Sequence, residues 1–213
     1  MKRTIRRSGP VGKRPSVVVL AGPNGAGKST AAPALLKGAL GVTEFVDPDT
    51  IARGLSAFQP ERVALSAGRI MLIRLKELAA QRVSFAFETT LASRMFARWL
   101  PELRQGGYRV HMIFLWLPSA DLAVARVTDR VRMGGHHVPE ETVCRRYAAG
   151  LRNFFSLYRP LANSWRIYDN SEGAAPRLIA RGRAGRVSRV ADEDVWARII
   201  SEVEREADPE KDP

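Results

Sequence analysis

A single cysteine, Cys144, in 213 residues excludes an internal disulfide and any zinc site built from several thiolates. It sits in a helix-like run and reads as a buried structural thiol with no catalytic role. Long apolar runs are also missing. The longest, "HMIFLWL" at 111–117, has the length of a strand and falls far short of the ~20 residues of a membrane span, so no membrane partner is expected. The basic opening "MKRTIRRSGPVGKRP" is followed by no apolar segment with a small-residue cleavage site, so no secretory signal is read and a cytoplasmic location is the default expectation. Acidic residues are scarce beside basic ones, 22 against 34, and the net charge is +12. That excess leaves nucleic acid, phosphorylated metabolites or a merely arginine-rich composition open. No aromatics interleave with the basic residues of the first fifteen, so a base-stacking arm is not expected there, and residues 1–15 read as a disordered tail.

What is present is an alternation. Strand-length apolar blocks, "SVVVLA", "TEFVD", "VSFAF", "YRVHMIFLWL" and "SWRIYD", are separated by helical patterns. This predicts βαβ units, a mostly parallel sheet of about five strands and an α/β fold class. Residues 60–82 read as a long helix with Val63, Ala67, Ile70, Met71, Leu75, Leu78 and Ala79 on its buried face. A second helix is predicted over 93–105, broken or kinked by Pro101 and stopped at Gly106 and Gly107. Ser119 is a predicted N-cap for a helix through about Met133, and a further helix follows from Pro139 to about Leu157. After "YDNSEG", residues 171–207 read as an appendage of a small β-hairpin and an amphipathic helix, and 208–213 as a disordered tail. Residues 16–170 form the main domain, with a lid around 126–147.

The chemistry begins at "SVVVLAGPNGAGKSTAAPALL", residues 16–36. Gly22, Gly25, Ala26, Gly27, Lys28 and Ser29 satisfy G-x-x-x-x-G-K-[ST] after a predicted strand and before a predicted helix, which is the context this P-loop pattern requires. The glycines let backbone N–H groups face phosphate oxygens, and the helix N-terminus adds a favourable dipole. Gly22, Pro23, Asn24, Gly25, Ala26, Gly27, Lys28, Ser29 and Thr30 are therefore the expected ATP site, with Lys28 on the β- and γ-phosphates and the Ser29 hydroxyl on Mg²⁺. Pro33, one turn into the helix, has no explanation at this level.

"LSAGRI" at 65–70 followed by "VSFAF" imitates the signature of transporter-type ATPases. Only 37 residues lie between Lys28 and Ser66, too few for the helical subdomain such ATPases carry between those motifs. "FVDPDTIARG" is the better guide. Asp47 suits an N-cap with Pro48 at the first helical position, which leaves Asp49 free for other work. A phosphoryl-transfer enzyme needs a carboxylate to orient and deprotonate the acceptor hydroxyl beside the γ-phosphate. Glu88 directly follows a buried strand, where it can hold substrate hydroxyls or a Mg²⁺-bound water, or serve only as a turn group.

With these residues, "FETTL" at the end of the third strand, and "GGHHVP" followed by "RRY", the chain resembles the zeta toxin group of P-loop kinases over about residues 16–170. That group phosphorylates UDP-N-acetylglucosamine or related small molecules. The resemblance implies Asp49 as general base and Lys28 as γ-phosphate clamp, with Glu88 and Thr90 facing the acceptor. It also implies a small antitoxin protein as a possible partner.

Arg126 and Arg130 lie four apart on one helix face ahead of a Gly-Gly pair, so a glycine-hinged lid could bring their planar forks over the transferring phosphate, with Arg130 the first candidate. Adjacent His136 and His137 lack zinc-ligand spacing, and His136 is expected to contact phosphate from the lid. The expected function is an ATP- and Mg²⁺-dependent kinase acting on a hydroxyl of a sugar nucleotide or related metabolite. The alternatives are a polynucleotide or RNA-end kinase, or a regulatory nucleotide-binding module.

Overall fold

The computed structural model describes residues 14–38, 40–135, 137–172 and 175–207. Five strands are mutually parallel: β1 (Ser16–Ala21), β2 (Glu44–Val46), β3 (Phe85–Thr89), β4 (Arg109–Trp116) and β5 (Ser164–Asp169). Two more, β6 (Arg177–Arg183) and β7 (Arg186–Val190), add antiparallel to β5, giving one seven-stranded sheet in the order β2-β3-β1-β4-β5-β6-β7. The α/β class with a mostly parallel sheet holds. The count exceeds the expected five because the C-terminal hairpin hydrogen-bonds to the edge of β5, covering a row of backbone groups that would otherwise lie open.

Helices pack on both faces, making three layers. On one side α3 (Ala64–Ala80), α4 (Met95–Gln105) and α7 (Glu193–Ala207) enclose Phe85, Phe87, Phe114 and Trp165. On the other, α1 (Lys28–Ala32) and α5 (Ala120–Arg132) cover Val18, Leu20, Ile113 and Leu115. β1 is buried on both faces from Val17 to Ala21, as an interior parallel strand of continuous apolar sequence should be. It therefore delivers the loop after Ala21 to the centre of the sheet edge. α2 (Pro48–Leu55) follows β2, and α6 (Glu140–Asn153) follows α5.

Several local expectations meet a different outcome. Pro101 lies inside α4 and does not break it, and the helix runs to Gln105 and stops at Gly106 as expected. Pro33 ends α1, and a π-helical turn, Pro33–Gly38, carries the chain onward, consistent with the N–H that proline lacks. Ile70, expected on the buried face of its helix, is 41% exposed, while Met71, Leu75 and Leu78 are buried. The tails expected at 1–15 and 208–213 fall, apart from Arg14 and Pro15, outside the described residues. No helix among the described residues is long and apolar enough to cross a membrane.

Candidate functional site

The loop after β1 is shaped by its glycines. Gly22 has φ 142°, and a Cβ there would lie 2.3 Å from the Leu115 carbonyl oxygen on β4, so the loop could not leave the sheet this way with any other residue. Lys28, at the start of α1, is 5% exposed. Its Nζ donates to the carbonyls of Gly22 (2.9 Å) and Pro23 (2.8 Å), and lies 3.4 Å from Glu88 Oε1. The ammonium is thus fixed inside the loop by two backbone acceptors and one carboxylate. Ser29 Oγ donates to Glu88 Oε2 at 2.9 Å, so a single carboxylate from the end of β3 ties both P-loop side chains together. Burial pushes the Glu88 carboxyl above its ordinary range, Lys28 opposes this, and the nearby charges of Asp47 and Asp49 reinforce it.

Asp47 caps α2: its side chain accepts from Asp49 N (2.9 Å) and Thr50 Oγ1 (2.8 Å), with Pro48 next in the first turn. Capping by Asp47 leaves the Asp49 side chain available to reach Arg130, with Oδ2 3.4 Å from Nη1. Both side chains are about one-third exposed, 34% and 35%. An ion pair of this exposure is worth ~0–1 kcal/mol, so either partner can exchange it for a ligand at little cost. Asp49 also attracts Arg146 on α6, whose guanidinium burial and Arg145 otherwise disfavour.

Gly25, Gly27, Lys28, Ser29, Thr30, Asp49, Glu88, Arg126 and Arg130 line one cavity of about 310 Å³. Arg53, Met133 and Gly135 complete it. Arg53 was not singled out from the sequence, although it stands four residues after Asp49 on α2, the spacing that places two side chains on one helix face. Arg126 reaches the cavity but is engaged by the carbonyls of Asn170 (2.8 Å) and Ser171, beyond β5. Asn170 Nδ2 in turn donates to the Ala26 carbonyl at 2.7 Å, so the loop after β5 is bound directly to the P-loop. Asn24 Oδ1, in the loop itself, is a buried acceptor with no donor among the described residues.

Thr90 does not line this cavity. It starts the turn after β3, where its Oγ1 accepts from Ala92 N at 3.5 Å and its carbonyl lies against Gly150 of α6. The next residue, Leu91, is fully buried with φ 59°, a left-handed conformation that a leucine adopts only under constraint. Its carbonyl accepts from Asn153 Nδ2 (2.8 Å). His136 lies outside the described residues, and His137 lines a separate cavity beside Val124 and Val127. Gly134 (φ 82°) and Gly135 terminate α5, and Gly135 N donates to the Arg130 carbonyl at 2.8 Å. A larger cavity of about 590 Å³, beside Trp116 and α7, contains none of the P-loop residues. The P-loop residues therefore mark the smaller one as the candidate phosphate site.

The donor set fits a nucleoside polyphosphate. P-loop residues meet four cationic side chains, Lys28, Arg53, Arg126 and Arg130, around one cavity, which is what a chain of phosphates requires. Ser29 and Glu88 offer the oxygens for Mg²⁺, an ion that takes one or two protein oxygens and completes its shell from phosphates and water.

The family model described as Zeta toxin matches residues 2–175. An uncharacterized protein of Haemophilus influenzae is 28% identical over 126 residues, covering 59% of this chain and 88% of that protein. Among solved structures, AvrRxo1-ORF1:-ORF2 with ATP superposes with TM-score 0.69 at 19% identity, covering 90% of this chain. The chain spans 65% of that protein, less than two thirds of its length. The PezAT chromosomal toxin–antitoxin system of Streptococcus pneumoniae gives TM-score 0.60 at 15% identity, covering 96% of this chain and 90% of that one. At these identities the structural matches establish a shared fold.

Proposed function

The chain belongs to the zeta toxin family, and from that membership and the cavity geometry we propose that it is an ATP- and Mg²⁺-dependent kinase that phosphorylates a hydroxyl of a small molecule, a sugar nucleotide such as UDP-N-acetylglucosamine being the acceptor class. The observation that carries this reading is the meeting of Asp49 with Arg130 in the cavity that Lys28 and Ser29 also line. A carboxylate poised beside the phosphate site is what an acceptor hydroxyl requires, to orient it and to take its proton.

The residues divide the work as follows. Lys28, already held by the Gly22 and Pro23 carbonyls, presents a fixed positive charge with no rotamer search at the moment of binding. When bound, ATP supplies the transferable phosphoryl group and Mg²⁺ spreads its charge. With ATP bound, Arg130 would turn from Asp49 toward phosphate oxygens, giving up a partly exposed and therefore weak ion pair, and this would free Asp49 Oδ2 to accept the hydroxyl proton. Glu88 orients the Ser29 hydroxyl, and these two groups would hold Mg²⁺. Arg126 holds the loop after β5 against the P-loop and so positions the nucleotide end of the site.

Incubation with labelled ATP, Mg²⁺ and a panel of nucleotide sugars, nucleosides and oligonucleotides tests the proposal. A mass gain of one phosphate on a sugar nucleotide supports it. Phosphate appearing only on oligonucleotide ends would overturn the acceptor class in favour of an end kinase, and nucleotide binding with no transfer to any compound would leave a regulatory module. Because one structural neighbour is a toxin–antitoxin system by name, a small antitoxin protein that blocks the nucleotide cavity is proposed as a partner.

A further inference from the structure

One face of the sheet carries arginines in register over its antiparallel half. Trp165, Ile167 and Ile179 belong to the core under α7, so the alternate side chains of β5 project from the other face. On that face Arg166 is paired with Arg181, and Arg181 with Arg189. Residues directly opposite in a sheet share a face, so three guanidinium side chains stand abreast on three neighbouring strands. Arg183 and Arg186 form the next such pair toward the hairpin turn. Arg166 is half-buried and the other four are exposed, and none of the five has a hydrogen-bond or ion-pair partner among the described residues. On β4, Ile113 is the partner of Arg166 and lies in the core under α1 and α5, so that cover ends between β4 and β5.

Like charges directly opposite one another weaken a strand pair, and here two consecutive pairings along one row are Arg–Arg. A ligand that relieved the repulsion would have to present several anionic groups along a line. The positive surface continues around the edge where β5 begins: Arg14, Arg109 and Arg183 line a cavity of about 510 Å³ that has no carboxylate in its wall.

We propose that this face of β5–β7 binds nucleic acid through its phosphate backbone. Arginine forks pair with phosphate oxygens, and rows about 4.8 Å apart from strand to strand offer successive contacts to a polyanion rather than one pocket for a single phosphate. Tyr168, the aromatic on this face of β5, packs against the neighbouring core, so bases find no stacking platform and recognition is independent of sequence. An acidic protein would call for a central aromatic or aliphatic anchor, and a membrane surface for side chains that insert; the paired positions supply only arginine. The Arg183–Arg186 pair lies by the hairpin turn, at the end of the sheet opposite the P-loop edge. Nucleic acid held there is therefore a docking surface, distinct from a phosphate acceptor, and its failure leaves the kinase reading untouched.

Fluorescence anisotropy with labelled 20-base-pair duplexes of DNA and RNA, across ~50–200 mM salt, tests this. Binding is expected to fall steeply with salt. The triple variant Arg166→Gln/Arg181→Gln/Arg189→Gln is expected to lose at least about tenfold in affinity and to reduce the log–log salt slope by about 2–3, at roughly 0.9 for each phosphate no longer neutralised. Its melting temperature should not fall, because the opposed charges are gone, and the double variant Arg181→Gln/Arg189→Gln, at two exposed positions, should show part of the same loss. A control triple, Arg62→Gln/Arg69→Gln/Arg98→Gln, removes equal charge elsewhere and should stay within about twofold of the parent. Equal loss in both triples, undiminished binding in the patch variants, or tighter binding to polyglutamate or to vesicles containing phosphatidylserine overturns the proposal.

Discussion

Asp49 and Arg130 are 81 positions apart, on α2 and α5, and their side chains meet at 3.4 Å in the P-loop cavity. Each side chain is about one-third exposed. Their pairing follows from two helix placements, one set by the Asp47 cap and the other by the Ser119 cap, whose hydroxyl accepts from Leu122 N at 3.1 Å. Asp49→Ala is expected to leave ATP affinity within a few-fold of the parent, since a carboxylate is removed rather than a phosphate donor. Phosphoryl transfer to the acceptor should fall by about 10²–10⁴, the usual weight of a general base. Calorimetric ATP titration beside a transfer assay separates the two. Equal transfer in the mutant would end the assignment of Asp49.

Lys28 predicts the reverse pattern. Lys28→Met removes the donor that two buried loop carbonyls share, so nucleotide affinity is expected to drop by at least about tenfold, 1.4 kcal/mol. Stability should also fall, by about 1–3 kcal/mol for acceptors left unsatisfied. Thermal melts with and without ATP measure both, and a variant that melts unchanged and still gains stability from ATP would contradict the position of the ammonium.

Glu88 supplies a pH dependence whose sign is fixed by the direction of its shift. Its folded-state pKa is raised above the ordinary 4.5, chiefly by burial. The folded chain therefore binds the proton more tightly than the unfolded one, and stability present below about pH 4.5 is lost as pH rises through the raised value. Glu88→Gln removes that loss. Its effect on the melting temperature is expected to be more favourable at pH 7–8 than near pH 4, where the native carboxyl is itself protonated. Transfer activity should fall in the same variant, because Ser29 loses its carboxylate partner.

The parts legible in the sequence were those written locally. The P-loop, the Asp47 cap with Pro48, the Ser119 cap and each strand block depend on residues within a few positions of one another, and all five parallel strands appear where the apolar blocks lie. What could not be read depended on register or on the far end of a side chain. Arg126 and Arg130 stand on one helix face at four-residue spacing, yet Arg130 meets Asp49 and Arg126 the carbonyls after β5. That difference lies in where β5 ends, more than forty residues later in the chain. The hairpin was visible as a hairpin, but nothing in its composition says that β5 would be its partner, and the Arg166–Arg181–Arg189 row exists only through that pairing and its bulges.

Gly150 carries the remaining prediction. A Cβ at this position on α6 would lie 2.3 Å from the Thr90 carbonyl oxygen, a backbone atom that cannot rotate away. α6 is thus seated directly on the turn after β3, and Asn153 fixes the same turn through the carbonyls of Leu91 (2.8 Å) and Ala92 (3.2 Å). The left-handed Leu91 is held in place by these contacts and by the Thr89 hydroxyl, which accepts from Leu91 N at 3.1 Å. Gly150→Ala must therefore push α6 and the Thr90 turn apart, at a cost of about 1–3 kcal/mol for overpacking. If this turn shapes the acceptor side of the site, as the resemblance implies for Thr90, the variant raises the acceptor KM several-fold while ATP affinity stays unchanged, because the contacts of Lys28 and Ser29 lie in the loop after β1 and on Glu88. Asn153→Ala, which frees the same turn without a clash, should move the acceptor KM in the same direction. A change confined to ATP affinity in both variants would place the acceptor elsewhere.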